Sequence, residues 1–204
     1  MIAIIDYGSG NLAAIANIYK RLRIPHLITA DPVALHDAER YVLPGVGAFD
    51  ATMHYLRNSG LVDLLSEQVV ENKKKVLGIC VGMQILAESS EEGLLPGLGW
   101  IRGSVKKIGV ESISKAPKLP HMGWNSVNAC ASAPLFEGVD LERGFYFLHS
   151  YYFDAVNASD VTATVNYGAD LPCAVASGNV FGMQFHPEKS HSNGECIFRN
   201  FAVL

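Results

Sequence analysis

The sequence predicts an α/β fold with a central, mostly parallel sheet flanked by helices, on three observations. Short continuous apolar runs, Met1-Ile2-Ala3-Ile4-Ile5-Asp6 first among them, are of the kind found in strands buried on both faces. Helix-period patterns alternate with these runs, at connections short enough for βα units. The second half instead holds short strand-like pieces without long helices, which predicts an antiparallel or mixed extension of the sheet.

After the first strand, Tyr7-Gly8-Ser9-Gly10-Asn11 turns the chain into a helix marked by Leu12, Ile15, Ile18, Tyr19 and Leu22. This turn has neither the G-x-G-x-x-G spacing nor a Walker lysine, so it matches a phosphate loop only loosely. Strands follow at residues 26–29 and 40–43, and the second runs into Pro44-Gly45-Val46-Gly47-Ala48-Phe49, a glycine turn at the carboxyl edge of the sheet. Helix patterns cover residues 53–56 and 61–70, and Lys73, Lys74 and Lys75 read as a solvated helix end. A loop rich in Gly and Pro leads to Gly99, and candidate strands lie at residues 100–107, 124–128, 144–152, 160–165, 173–176 and 180–184. No proline-rich or low-complexity linker divides the chain, so residues 1–204 are expected to form one domain.

Composition narrows the function classes. A chain of 204 residues, 49% hydrophobic, can bury a full core. A formal charge of -4 argues against a nucleic-acid footprint. No apolar run is long enough to cross a bilayer, and the chain opens on a strand without a basic leader, so a cytoplasmic protein with no membrane partner is expected. Cys80, Cys130, Cys173 and Cys196 show no Cys-x-x-Cys pair and no regular spacing, which fits free thiols in a reducing compartment.

The chemistry concentrates in two stretches. In Lys75-Val76-Leu77-Gly78-Ile79-Cys80-Val81-Gly82-Met83-Gln84 an apolar strand ends in Gly-x-Cys-x-Gly and gives way to a helix pattern, the context of a nucleophile elbow. Gly78 and Gly82 keep β-carbons away from the strained turn, and Cys80 would project at the start of the next helix, where the dipole favours thiolate. An oxyanion hole needs one N–H from the residue after the nucleophile and one from a neighbouring loop, places that Val81 and the Gly45-Val46-Gly47 turn can fill. In the second stretch, Val180 to Ser190, a strand delivers His186 at its end and Pro187 stiffens the step to Glu188. Cys80, His186 and Glu188 suit a triad in which His186 holds the thiolate and protonates the leaving group while Glu188 orients the imidazole. Metal ligation by His186, Glu188 and His191 is the rival reading, but their spacing matches no standard zinc pattern.

Gly78-Ile79-Cys80-Val81-Gly82-Met83-Gln84 together with Phe185-His186-Pro187-Glu188 resembles the triad-type, class I glutamine amidotransferases. Pro120-His121-Met122-Gly123-Trp124-Asn125 is similar to the glutaminase subunits of imidazole glycerol phosphate synthases, and Asp6 to Asn11, the Pro-Gly-Val-Gly turn, His149-Ser150-Tyr151-Tyr152 and Pro187-Glu188-Lys189-Ser190 agree. The resemblance implies a flavodoxin-like fold, L-glutamine as substrate, a γ-glutamyl thioester on Cys80, and no cofactor or metal. It implies oxyanion contacts from Gly45, Val46 and Val81, on a loop that rearranges to make them. Gln84, Glu92 and the Ser150-Tyr151 backbone are implied to recognise the amino-acid end of glutamine, and Trp124, Asn125, Tyr146 and Lys189 to face a partner. That partner is implied to be a (β/α)8-barrel cyclase subunit, forming a heterodimer that makes imidazole glycerol phosphate and aminoimidazole carboxamide ribotide in histidine biosynthesis. Val81 stands where leucine is commoner, and Cys173 and Ser177 fall in a variable strand. Two alternatives stay open: a paralogous glutaminase feeding another synthase, such as a sugar-modifying enzyme, and a cysteine hydrolase or chaperone-like protein of the same α/β type.

Overall fold

The computed structural model describes residues 1–114 and 117–204. The first half alternates as β1 (Ile2–Ile5), α1 (Leu12–Arg21), β2 (His26–Thr29), α2 (Pro32–Asp37), β3 (Arg40–Gly45), α3 (Phe49–Asn58) and α4 (Val62–Ser66), which continues as a π-helical turn over Glu67–Glu71. Next come β4 (Lys75–Cys80) and α5 (Val81–Gln84). The second half carries β5 (Ser89–Ser90), β6 (Gly103–Lys107), β7 (His121–Asn125), β8 (Asn128–Ala129), β9 (Phe145–His149), β10 (Tyr151–Ala155), β11 (Val161–Asn166), β12 (Asp170–Ser177), β13 (Val180–Met183) and α6 (His191–Val203).

Local chemistry accounts for most of these boundaries. Asn11 caps α1 through a bond from the Ala14 N–H, and Ile15, Ile18 and Tyr19 form its buried stripe at helical spacing. Asp31 accepts the N–H groups of Val33 and Ala34 and Pro32 sits at the first helical position, so a short α2 starts there although the sequence pattern did not single it out. The terminal helix α6 likewise had no sequence signal. Ser190 offers it no side-chain cap and Asn193 and Gly194 stand in its first turn, weak helix formers whose place is justified by burial together with Ile197, Phe198 and Phe201.

An eight-stranded sheet runs in the order β2-β1-β3-β4-β13-β12-β11-β8. The pairs from β2 through β13 are parallel, and β12, β11 and β8 continue antiparallel. The mostly parallel sheet with an antiparallel extension is therefore as expected. One refinement is that part of the second half leaves this sheet: β10, β6 and β5 form one small sheet, and β7 with β9 another. The expected strand over residues 144–152 is broken at Ser150, with β9 pairing β7 and β10 pairing β6. An apolar cluster built on Ile4, Tyr41, Leu77, Phe185 and Phe198 runs through both halves.

Candidate active site

Cys80 ends β4 with φ 56° and ψ -114°, a left-handed backbone that a β-carbon disfavours. Three glycines make room for it. A β-carbon on Gly82 would collide with the Leu43 carbonyl, one on Gly45 with the Gly82 amide, and one on Gly78 would lie 2.5 Å from the Gly82 oxygen. The elbow is thus a crossing of β3, β4 and α5 at backbone contact distance. Its helix is shorter than expected: α5 is a single turn of four residues, so its dipole is a weak aid to a thiolate.

Strand β13 brings the second cluster to the elbow. It lies parallel to β4 with Gly182 opposite Gly78 and Met183 opposite Ile79, so the chain beyond Met183 passes beside Cys80. The His186 N–H donates to Tyr146 O at 2.9 Å, which ties this segment to β9. Phe185 stacks on Phe145 at 3.9 Å between ring centroids, and Pro187 starts the turn that returns Glu188 toward the imidazole. His186 Nδ1 donates to Glu188 Oε1 at 2.8 Å, leaving Nε2 for the Cys80 sulfur. Burial opposes a charged imidazole here, but the hydrogen bonds it donates to Cys80 and Glu188 outweigh this and raise the His186 pKa to about 10. The side chains of His186 and Glu188 are 5% and 3% exposed. His191 lies elsewhere, its ring stacked on Trp124 at 5.5 Å.

A cavity of about 230 Å³ opens over the sulfur, lined by Cys80, His186, Val46, Gly47, Val81, Leu148 and Lys189. Cys80 Sγ is 3.9 Å from Leu148 O and 3.7 Å from Gln184 Nε2. Val46, expected in an oxyanion hole, has its N–H turned away. It donates to Ser9 Oγ at 3.0 Å, and the Ser9 hydroxyl lies 3.2 Å from Val46 O. Tyr7 adds a bond from its phenol to Pro44 O, so the glycine turn after β1 grips the turn after β3. Burial holds the Tyr7 phenol well above its usual pKa, as a neutral donor.

Of the residues expected to hold glutamine, Gln84 is buried and points inward, its Nε2 3.3 Å from Tyr151 O and 2.9 Å from Gln184 Oε1. Ser150 O accepts from the Ile108 N–H, which fixes the bend between β9 and β10. Glu92 caps α3, accepting the Phe49 N–H at 2.8 Å. The expected partner residues share a corner. Trp124 and Tyr146 are cross-strand neighbours, Lys189 lies 5.4 Å over the Tyr146 ring, and Arg143 sits 6.0 Å from the Trp124 ring. Asn125 is half turned in, giving Nδ2 to Asn166 O at 3.0 Å and to His121 Nε2 at 3.2 Å. Sequence reasoning attached no role to Ser9, Gln184, His121 or His149. Each stood inside a stretch already singled out, but its partner lies on another strand, where spacing carries no signal.

Comparison with known proteins supplies the context for this geometry. The family model described as glutamine amidotransferase class-I matches residues 3–204. An imidazole glycerol phosphate synthase subunit HisH of Bdellovibrio bacteriovorus is 49% identical, with all of both chains covered, and one from Leptospira borgpetersenii is 48% identical, also over all of both. Among solved structures, one described as a glutamine amidotransferase superposes with a TM-score of 0.73 at 20% identity, covering 100% of this chain and 99% of that one. A glutamine amidotransferase of Thermotoga maritima gives 0.63 at 17% identity, covering 92% and 75%. Those two share the fold. With a family model spanning all but the first two residues and relatives nearly half identical from end to end, this chain belongs to the class-I glutamine amidotransferases.

Proposed function

We propose that the whole chain works as one glutaminase domain that hydrolyses L-glutamine and hands ammonia to a cyclase subunit, the pair forming an imidazole glycerol phosphate synthase. The observation that carries the reading is the meeting of Cys80 and His186 at one cavity, with Glu188 bonded to the imidazole, in a chain close to half identical to named HisH subunits. The Cys80 thiolate attacks the side-chain carbonyl carbon of glutamine. The C–N bond breaks as His186 Nε2–H gives its proton to the leaving nitrogen, releasing ammonia and a thioester. Water, deprotonated by His186, then attacks the thioester and frees glutamate. Glu188 orients the imidazole through Nδ1 and balances the imidazolium.

The oxyanion of each tetrahedral intermediate is held by the Val81 N–H and, once it leaves Ser9, by the Val46 N–H. Gln84, Glu92 and the Ser150-Tyr151 backbone receive the amino-acid end of glutamine. Trp124, Asn125, Tyr146 and Lys189 face the partner, a (β/α)8 barrel in this reading. A partner is chemically necessary, because ammonia is nucleophilic only when unprotonated and neutral water converts nearly all of it to ammonium. Delivery through a protein interior avoids that loss. The setting is cytoplasmic; among the described residues no helix is long and apolar enough to cross a membrane.

Glutamate release by the purified chain tests the proposal, measured alone, with the cyclase subunit of the same organism, and with that cyclase and its ribonucleotide substrate. Stimulation of at least tenfold in the third mixture is expected. Equal release in all three would leave the glutaminase and remove the partner, pointing to a different acceptor synthase. In the complex, Cys80→Ala should abolish glutamine-dependent synthesis and leave synthesis from added ammonium salts within about twofold of the parent. A parallel loss of both would refute the nucleophile assignment.

A further inference from the structure

Gln184 is 0% exposed, one residue beyond β13, where a polar side chain needs partners for each of its atoms. Its backbone N–H donates to Cys173 O at 2.8 Å, which leaves the amide side chain to face the elbow. Oε1 accepts from Gln84 Nε2 at 2.9 Å, and Nε2 lies 3.7 Å from Cys80 Sγ, 104 residues away in sequence. Turned the other way, the same amide would present oxygen to the sulfur and repel a thiolate, so its direction decides its effect.

The direction is set outside Gln184. Gln84 Nε2 also reaches Tyr151 O at 3.3 Å, and a carbonyl can only accept. Gln84 therefore presents nitrogen on this side and donates to Gln184 Oε1. Reversing Gln184 would set two NH2 groups against each other at the 2.9 Å contact and lose both bonds. His149 Nδ1 lies 2.8 Å from the same Tyr151 carbonyl, a second donor to that anchor. The polarity thus runs one way, from the Tyr151 carbonyl through the Gln84 and Gln184 amides to Sγ.

We propose that Gln184 is a further catalytic residue, its side-chain N–H stabilising the Cys80 thiolate, with the donor direction enforced through Gln84 by the Tyr151 carbonyl. A donor to the charged form favours that form, and it does so most where burial lowers the local dielectric; Cys80 is only 5% exposed. The same N–H also favours sulfur as the leaving group when water attacks the thioester. The inference rests on Cys80 being the nucleophile.

The test is the pH dependence of Cys80 alkylation by iodoacetamide on the full-length chain. Mass spectrometry of the Cys80 peptide separates it from the exposed Cys130. Gln184→Met has a similar length without a donor and should move the midpoint of alkylation upward, with the rate at pH 6.5 falling about tenfold in a chain that still unfolds cooperatively. Gln184→Glu is isosteric and serves if the methionine variant does not fold; its carboxylate faces the sulfur with an acceptor, and the rate should fall at least as far. Parent-like profiles in the Gln184 variants, with a shift in His186→Gln, would reduce Gln184 to packing and leave the triad standing. Parent-like profiles in all three variants would overturn the triad as well.

Discussion

Cys80 combines a strained backbone with a buried thiol. A non-glycine residue at φ 56° costs on the order of 1–3 kcal/mol, held in place here by surroundings that leave the turn no alternative. Those surroundings are Gly45, Gly78 and Gly82, whose missing β-carbons let the Gly82 backbone lie against Leu43, Gly45 and Gly78. Ser9 is the complementary case, a single hydroxyl that decides where a backbone donor points. Its bond to the Val46 N–H keeps that donor out of the cavity. Ser9→Ala removes the acceptor, so the Val46 peptide should reorient more readily. Glutamate release by the chain without its partner is expected to rise several-fold, while stability falls by about 1 kcal/mol. Release at the parent rate, with Val46 shown to be ordered as before, would count against an oxyanion role for that N–H.

At the scale of elements, the β7–β9 ladder is the piece that joins the cavity to the outer face. Leu148 and Tyr146 line or border the site from β9, while His121 and His149 pair across the ladder on its buried side. Donor direction can be followed here too. His149 Nδ1–H donates to Tyr151 O, its Nε2 must then accept, and His121 Nδ1–H is the donor at 2.9 Å. Burial, with the nearby His121 and His186, lowers the His149 pKa to about 3, although its bond to Tyr151 O opposes this. The native state keeps His149 neutral where the unfolded chain protonates it near pH 6.5. The unfolded state therefore binds more protons between about pH 6.5 and 3, and stability present above that window drains away as pH falls through it. From this residue alone, unfolding free energy should drop by about 2 kcal/mol between pH 7 and 5. Urea denaturation at the two pH values checks this. His149→Gln should be less stable at pH 7 yet lose less on acidification, and an unchanged difference between the two pH values would show that His149 is charged in the native protein.

Over the whole molecule, exposed apolar side chains are spread from Met1 to Val203, but four of them lie at the cavity or on the β7–β9 ladder beside it. Val46, Met122, Trp124 and Leu148 are 48%, 51%, 44% and 38% exposed, and Met122 is the cross-strand neighbour of Leu148. Such a patch beside a reactive site is what a docking face requires. Lys189 stands between the two, lining the cavity while its ammonium rests over Tyr146. Losing that exposed contact costs the free chain no more than about 1 kcal/mol, whereas a central charged contact in an interface carries more. Lys189→Ala is thus expected to weaken cyclase binding roughly tenfold in titration calorimetry and to shift the melting temperature by only about 2 °C. Parent-like affinity and parent-like coupled turnover would remove Lys189 from the interface.

Much of this is legible in the sequence alone. The four leading strands, the glycine-flanked elbow at Cys80 and the His-Pro-Glu step at 186–188 each depend on residues within a few positions of one another, and local sterics and turn chemistry are written in such spacing. The same holds for the family resemblance, carried by contiguous motifs. Elements whose reasons are not local escaped: α6 is held by burial and not by a cap, the strand expected at 144–152 breaks at Ser150 because its halves pair with different strands, and α5 stops after one turn. At the site, the sequence by itself determined which side chains are proposed to carry the chemistry. Only the tertiary structure decided that the Val46 N–H faces Ser9 and that a Gln184 donor faces the sulfur. Both depend on the register of strands far apart in the chain, which the packing of the shared core sets and no short run of residues can encode.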